Sequence, residues 1–315
     1  MLRACLCFAA RGCGLFTVFS AAVFGTPLLT IDYPGALGTR VSDVDNQGDI
    51  VGTYYGEPGF GSGSFFLRAG VFTPIAYPGA LMTVAVGLSN TGQVAGWYLD
   101  GSAIQHGFLW NDGAYSGYDV PDASTTYLSD VNSSGSLLGG YCAGETCHGF
   151  FTDASGVHDL DVPGSDSTSP ASINDRGAIA GYYLVSGYGI GFVRAPDGAV
   201  TPIEYHDPDV PVGITAPSGI NNSGTIAGYI GYKYHGFLWR DGTFENFNVA
   251  AVTLPMGIND RGQVVGTYQD AAGEHGFLAE ATDVPEPGTL APGALGAAGL
   301  FAFGWRRRQR AIVDR

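Results

Sequence analysis

Charge is scarce in this chain of 315 residues: Asp, Glu, Lys and Arg together make up 14% of it. Intrinsic disorder needs many charges and few aromatics. Here Tyr and Phe number 17 and 18, so a disordered chain is excluded. Basic residues are scarcer still. Between residues 26 and 284 seven of them face 27 acidic residues, a net charge of −20. Nucleic-acid binding needs clustered Lys and Arg, so nucleic acid is excluded as a partner; an acidic body favours solubility and cations. Long apolar runs occur only near the two ends, and the body shows no amphipathic helical period. It contains no HExxH, no GxSxG turn, no P-loop and no GxGxxG opening a helix. What is abundant is glycine, at 50 residues. Glycine with aromatics and little charge suits many short strands joined by tight turns.

Residues 1–25 carry Arg3 and Arg11 and then the apolar stretch "GCGLFTVFSAAVFG", ending in small residues. That is the layout of a secretory signal peptide, with cleavage after Ala22 or Gly25 and export through the Sec machinery. The body is expected at 26–284 and a tail at 285–315. In the tail, "VPEP" (Val284 to Pro287) precedes eighteen uncharged residues, Gly288 to Trp305, and then Arg306, Arg307 and Arg308. Eighteen such residues can just span a bilayer as one transmembrane helix. Trp305 suits the interface, and the arginines hold the end in the cytoplasm. This order resembles the PEP-CTERM sorting signal of Gram-negative bacteria. The resemblance implies that Pro285, Glu286, Pro287 and the three arginines form a sorting motif. It also implies a partner, an exosortase-type membrane peptidase that removes the tail. The precursor would be anchored in the inner membrane, and the mature form would sit at the cell surface or outside it. A plain C-terminal anchor is the alternative.

Between the ends one motif occurs six times, with its glycine at Gly48, Gly92, Gly135, Gly177, Gly224 and Gly262. A second follows each copy: "SFFLR" from Ser64, "HGFLW" from His106, "HGFFT" from His148, "IGFVR" from Ile190, and "HGF" again from His235 and His275. A third, often ending in proline, comes first of all at "TIDYP" and is missing after the last unit. Each unit of about 42 residues reads as four short strands, with Asx and Gly supplying the positive φ of the first turn. This is the size of a propeller blade. The pattern predicts an all-β, six-bladed β-propeller closed by the N-terminal strand, which supplies what the last unit lacks; an open solenoid is the alternative. The repeats resemble the extracellular HAF family, with "HGF" at four positions and departures at Ser64 and Ile190. That resemblance implies location and architecture rather than activity.

Candidates for chemistry are few. Four histidines occupy one repeat position, which favours a framework role such as bonding a neighbouring blade's backbone; His158 and His206 show no partner. Asx-rich turns can hold calcium, and Asp43, Asp45 and Asp49 form the better candidate for a weak site, but the bidentate glutamate is missing. No other cofactor is implied. Cys142 and Cys147 flank "AGET" on facing strands, and an exported chain meets oxidants, so a disulfide is expected. Function on repeats resides in what differs between them. The differing loops are Gly56 to Gly63, Cys142 to Cys147, Leu184 to Ile190 and Tyr205 to Gly219. The last mixes Tyr205, His206, Asp207 and Asp209 and is the first choice for a ligand contact. Two functions stay open. One is a non-catalytic surface or matrix protein binding an extracellular polysaccharide or another partner. The other is a secreted carbohydrate-active hydrolase or lyase using loop carboxylates. The near-uniform units favour the first.

Overall fold

The computed structural model describes residues 28–57, 61–205, 214–231 and 234–281, and every regular element among them is a strand. The chain divides into two compact units, Met1–Glu280 and Ala281–Arg315. The signal peptide expected at 1–25 and the transmembrane helix expected at 288–305 lie outside the described residues. Among the described residues, no helix is long and apolar enough to cross a membrane.

Strand β1 (Leu29–Ile31) opens the body. The first repeat contains β2 (Gly38–Val44), β3 (Ile50–Tyr55), β4 (Ser62–Arg68) and β5 (Val71–Ile75). The second contains β6 (Met82–Leu88), β7 (Val94–Leu99), β8 (Gln105–Asn111) and β9 (Ala114–Tyr118), and the third β10 (Thr125–Val131), β11 (Leu137–Ala143), β12 (Thr146–Asp153) and β13 (Gly156–Asp159). The fourth contains β14 (Ser167–Ile173), β15 (Ile179–Val185), β16 (Tyr188–Arg194) and β17 (Val200–Ile203), and the fifth β18 (Thr215–Ile220), β19 (Ile226–Ile230), β20 (His235–Arg240) and β21 (Thr243–Asn246). The sixth has three, β22 (Val252–Ile258), β23 (Gln263–Gln269) and β24 (Glu274–Glu280), and β1 pairs antiparallel with β24, Leu29 opposite Leu278.

The fold is an all-β propeller, but the expectation of six four-stranded blades requires correction. Four four-stranded sheets stand as blades: β6–β9, β10–β13, β14–β17 and β18–β21. The remaining strands form one eight-stranded sheet, in which β24 meets β2 through the parallel pair Gly38 and Glu274. The reason is local. Beside that parallel pair, Nε of Arg40 on β2 donates to both carboxylate oxygens of Glu274 on β24, at 3.0 and 3.1 Å.

One phenylalanine per repeat is fully buried: Phe65, Phe108, Phe150, Phe192, Phe237 and Phe277. Each faces the second strand of its unit, where glycine recurs. A Cβ on Gly96 would come within 2.8 Å of the Phe108 ring, and one on Gly228 within 2.6 Å of the Phe237 ring. The glycine is therefore the seat of the aromatic core. Every first strand also carries a bulge, between Val41 and Asp43, Ala85 and Gly87, Leu128 and Asp130, Pro170 and Ser172, Pro217 and Gly219, and Pro255 and Gly257. A bulge re-aims the residue that follows it. The residues so placed, Asp43, Gly87, Asp130, Ser172, Gly219 and Gly257, approach one another closely. A Cβ on Gly87 would lie 2.6 Å from Cα of Asp130, and one on Gly257 2.9 Å from Cα of Asp43.

Within each unit the antiparallel order sets two ends. The turns after first and third strands share one end, the repeat-turn end. The hairpins between second and third strands, and the connections between units, share the other. The loops Cys142 to Cys147 and Leu184 to Ile190, which differ between repeats, fall at this second end, the loop end.

Candidate functional site: an axial pocket and a loop end

The repeat-turn end surrounds an open pocket of about 400 Å³ including its mouth. Its wall is built by the six first turns. In four of them an asparagine Oδ1 accepts the N–H groups two and four residues on, as Asn132 does from Ser134 at 3.1 Å and Ser136 at 2.9 Å. These are Asx turns, closed by a glycine at positive φ, such as Gly135 at 82°. The asparagine Nδ2 then reaches the next turn. Asn132 donates to the Asn174 carbonyl, Asn174 to Asn221, Asn221 to Asn259 and Asn259 to Asp45, at 2.9–3.2 Å. Asp45 and Ser89 have no amide donor, so this belt stops there.

The next residue of each turn makes a second belt at the mouth. Backbone N–H of Asn46 donates to Asn90 Oδ1, that of Ser133 to Asp175, of Asp175 to Asn222, of Asn222 to Asp260, and of Asp260 back to Asn46. The joint from Asn90 to Ser133 is absent, because the serine side chain is a hydroxyl rather than a longer carbonyl. Asn90 Nδ2 instead reaches Asp175 at 3.1 Å.

Four carboxylates line this pocket: Asp43, Asp130, Asp175 and Asp260. Asp175 accepts from Ser133 N, Asn90 Nδ2 and Asn222 Nδ2. Burial pulls its pKa up, but these donors outweigh it and hold the carboxyl below its ordinary value. Asp260 accepts from Asn222 twice and from Asn46. Deeper in, Asp43 accepts from Val44 N and Leu88 N, both at 2.8 Å. Asp130 accepts from Val131 N, Ile173 N and Ser172 Oγ. Burial raises Asp130 to about 7 and, with the charge of Asp130, raises Asp43 well above the usual carboxylate range. Asp43 and Asp130 clasp the backbone of the following repeat, and Asp175 and Asp260 that of the preceding one, so all four are occupied in holding units together.

The calcium candidates have separate partners. Asp45 Oδ1 caps its own turn through Gln47 N and Asp49 N. Asp49 Oδ2 holds Arg68 Nε at 2.6 Å, and Asp43 faces the pocket. Among the described residues, no group of three or more His, Cys, Asp or Glu side chains is arranged to hold a metal.

Of the repeated histidines, His106 and His148 each bond a carboxylate of the same blade, not a neighbouring blade's backbone. Nδ1 of His106 lies 3.0 Å from Asp119, and Nδ1 of His148 lies 2.6 Å from Asp161. Each ring lies against the tyrosine of the second strand, Tyr98 or Tyr141. The partner was readable as a second regularity. His106, His148 and His235 are each followed 13 residues on by Asp119, Asp161 and Asn248. The register places Gly63, not Ser64, and Ile190 where the other units carry the histidine, opposite Tyr54 and Tyr183; these units carry Ala76 and Glu204 near the partner's place.

One cluster has the composition of a catalytic triad. Ser155 Oγ and Asp153 Oδ1 each lie 2.9 Å from Nε2 of His158. Nucleophile and acid thus share one ring nitrogen, whereas a relay needs them on opposite nitrogens. Asp153 also accepts from the Ser155 hydroxyl and N–H, which with His158 hold its pKa far below its ordinary value. This is a capped turn.

At the loop end, Cys142 and Cys147 are disulfide-bonded with their Cα atoms 4.0 Å apart. Tyr205 donates its N–H to Thr215 Oγ1 and sets its ring edge-on to Phe244, 5.3 Å between centroids. His206, Asp207 and Asp209 lie outside the described residues, as do Pro285, Glu286, Pro287, Arg306, Arg307 and Arg308.

Residues 283–308 match the PEP-CTERM protein-sorting motif. The motif implies an exported, membrane-associated precursor recognised by an exosortase. No curated protein matches the chain. Among solved structures, the β-propeller domain of the Trilobed protease from Pyrococcus furiosus is similar at 11% identity and a TM-score of 0.50, over 81% of this chain and 99% of that one. A catalytically inactive virginiamycin B lyase from Staphylococcus aureus with quinupristin is similar at 12% identity and 0.47, over 81% and 99%. An Aleuria aurantia lectin mutant in complex with α-methyl-L-fucoside is similar at 11% and 0.45, over 82% and 99%. At these identities the likeness concerns the fold alone.

Proposed function

We propose that this chain is a non-catalytic binding or scaffold propeller. It is exported by the Sec machinery behind an N-terminal signal peptide and held by a transmembrane helix at 288–305. An exosortase-type peptidase then processes it for the cell surface or the extracellular matrix. The carrying observation is the contrast between the two ends of the body. At the repeat-turn end every pocket carboxylate is occupied by hydrogen bonds within and between repeats, which leaves no free acid–base pair. At the loop end lie the described segments that differ between repeats, and binding specificity belongs there. The ligand class is an extracellular polysaccharide, with Tyr205, His206, Asp207 and Asp209 as first contacts.

Two measurements test this. A polysaccharide pull-down with the exported protein should retain it, with retention reduced by Tyr205→Ala; failure on every polymer tried would remove the polysaccharide reading. The intact mass of the mature protein from cells carrying the peptidase should lack everything after about Pro285, and Glu286→Ala should leave a longer, membrane-retained form. A tail still present in wild type would reduce the segment to a plain anchor.

A further inference from the structure

The histidine of the sixth repeat differs from those of the second and third. His275 stacks on Tyr268, at 5.2 Å between centroids, but its Nδ1 partner is Asp32, just after β1. A second carboxylate, Asp270 in the turn between β23 and β24, lies 3.4 Å from Nε2. That nitrogen is buried and makes no hydrogen bond. A neutral imidazole donating to Asp32 would aim the Nε2 lone pair at Asp270, an acceptor against an anion. An imidazolium presents an N–H to each carboxylate instead. Two further groups stand near: Tyr268 beneath the ring, and Glu274 beside it on β24, which is occupied by Arg40 of β2.

Just beyond strand β1, Tyr33 is held by its stack on Tyr54 and its N–H bond to Thr39 Oγ1; the strand itself has fewer contacts. It pairs through three residues, and only Ile31 is buried while Leu29 is 58% exposed. Thr30 adds one hydroxyl contact to Tyr268 at 3.0 Å. We propose that the Asp32–His275–Asp270 bridge is a proton-operated clasp on the N-terminal strand: a protonated His275 holds β1 on β24, and loss of the proton loosens it. The Asp32 hydrogen bond, aided by Asp270, raises the His275 pKa. The clasped state therefore binds the proton more tightly than the open one. Its contribution is complete below the free-histidine value of about 6.5 and is lost as pH rises through the higher clasped value.

Amide hydrogen exchange of the full mature protein between pH 6 and 9, corrected for intrinsic rates, reads the clasp at residues 29–31 and 276–278. Protection there should fall several-fold with rising pH in wild type. In His275→Gln it should be low throughout and independent of pH, while His148→Gln should behave as wild type. A second reading needs no variant that could misfold: NMR titration should place His275 above about 6.5, and lower in Asp32→Asn. Titration at or below that value, or the same pH dependence of β1 protection in His275→Gln as in wild type, would overturn the clasp.

Discussion

Nδ1 of His275 lies 2.8 Å from Oδ1 of Asp32, across 243 residues of sequence. In the second and third repeats the same bond spans 13 residues, within one blade. The N-terminal segment therefore does for the last repeat what a fourth strand does for the others. It also brings Tyr33, stacked on Tyr54 at 3.7 Å, and the buried Ile31. Deletion of residues 28–33 should expose the edge of β24 and leave a core gap, which favours edge-to-edge association. Aggregation or loss of a cooperative melt is expected by calorimetry; a variant melting within a few degrees of wild type would contradict it.

Stability should fall as pH rises from 5 to 8. Asp43, Asp130, His148 and His275 all have folded pKa values above their ordinary ones. For the two histidines the cause is a carboxylate partner, and for the two aspartates it is burial. The folded protein thus holds these protons more tightly than the unfolded chain. The aspartate contribution is complete below about pH 4 and is lost as pH rises through about 7 for Asp130. The lowered carboxylates Asp100, Asp153, Asp175 and Asp270 act in the opposite sense, but only below their ordinary range. Melting temperature across this window should decline, less steeply in Asp130→Asn. A rising or flat profile in wild type would contradict the assignment.

The floor of the pocket tolerates no added atoms. Gly87 does not have positive φ, so alanine there is not strained by its backbone. Its Cβ would nevertheless lie 2.6 Å from both Cα and Oδ1 of Asp130. Gly87→Ala should cost about 1–3 kcal/mol in denaturant unfolding, as overpacking does. Gly101→Ala, where a Cβ meets nothing within 4 Å, should be close to neutral.

The first turns, five of them capped by Asx and one by Ser89, were legible because the capping side chain, the glycine and the spacing between them all serve one local loop, which a single stretch of sequence records. The strand order within repeats followed from the same regularity. The pocket floor was not legible. Asp43, Gly87, Asp130, Ser172, Gly219 and Gly257 occupy one structural position, yet share no chemistry, because a crowded axis needs large and absent side chains side by side. The histidine partners are recorded only as a 13-residue spacing between two motifs, and the last pair, His275 with Asp32, has no such spacing because it joins the first and last strands of the body. The junction of β2 with β24 rests on one parallel bridge at Gly38, which leaves no pattern in sequence.

The Cys142–Cys147 bond closes a hairpin on which the other paired units carry an aspartate instead, Asp100 in the second and Asp270 in the sixth. The closed loop is short, with a sequence separation of 5, so replacing both cysteines by serine should cost roughly 2 kcal/mol or less. The exported, non-reduced protein should contain no alkylatable thiol at these positions; two reactive thiols would contradict the bond.

The proposal that the body binds without catalysing is tested most directly by a polysaccharide hydrolase and lyase screen of the purified exported protein, with and without calcium. No turnover is expected, since the described carboxylates of the axial pocket are all occupied by hydrogen bonds within the fold. Turnover that disappears in Asp207→Asn or Asp209→Asn would make the long loop of the fifth repeat a catalytic centre and contradict the binding reading.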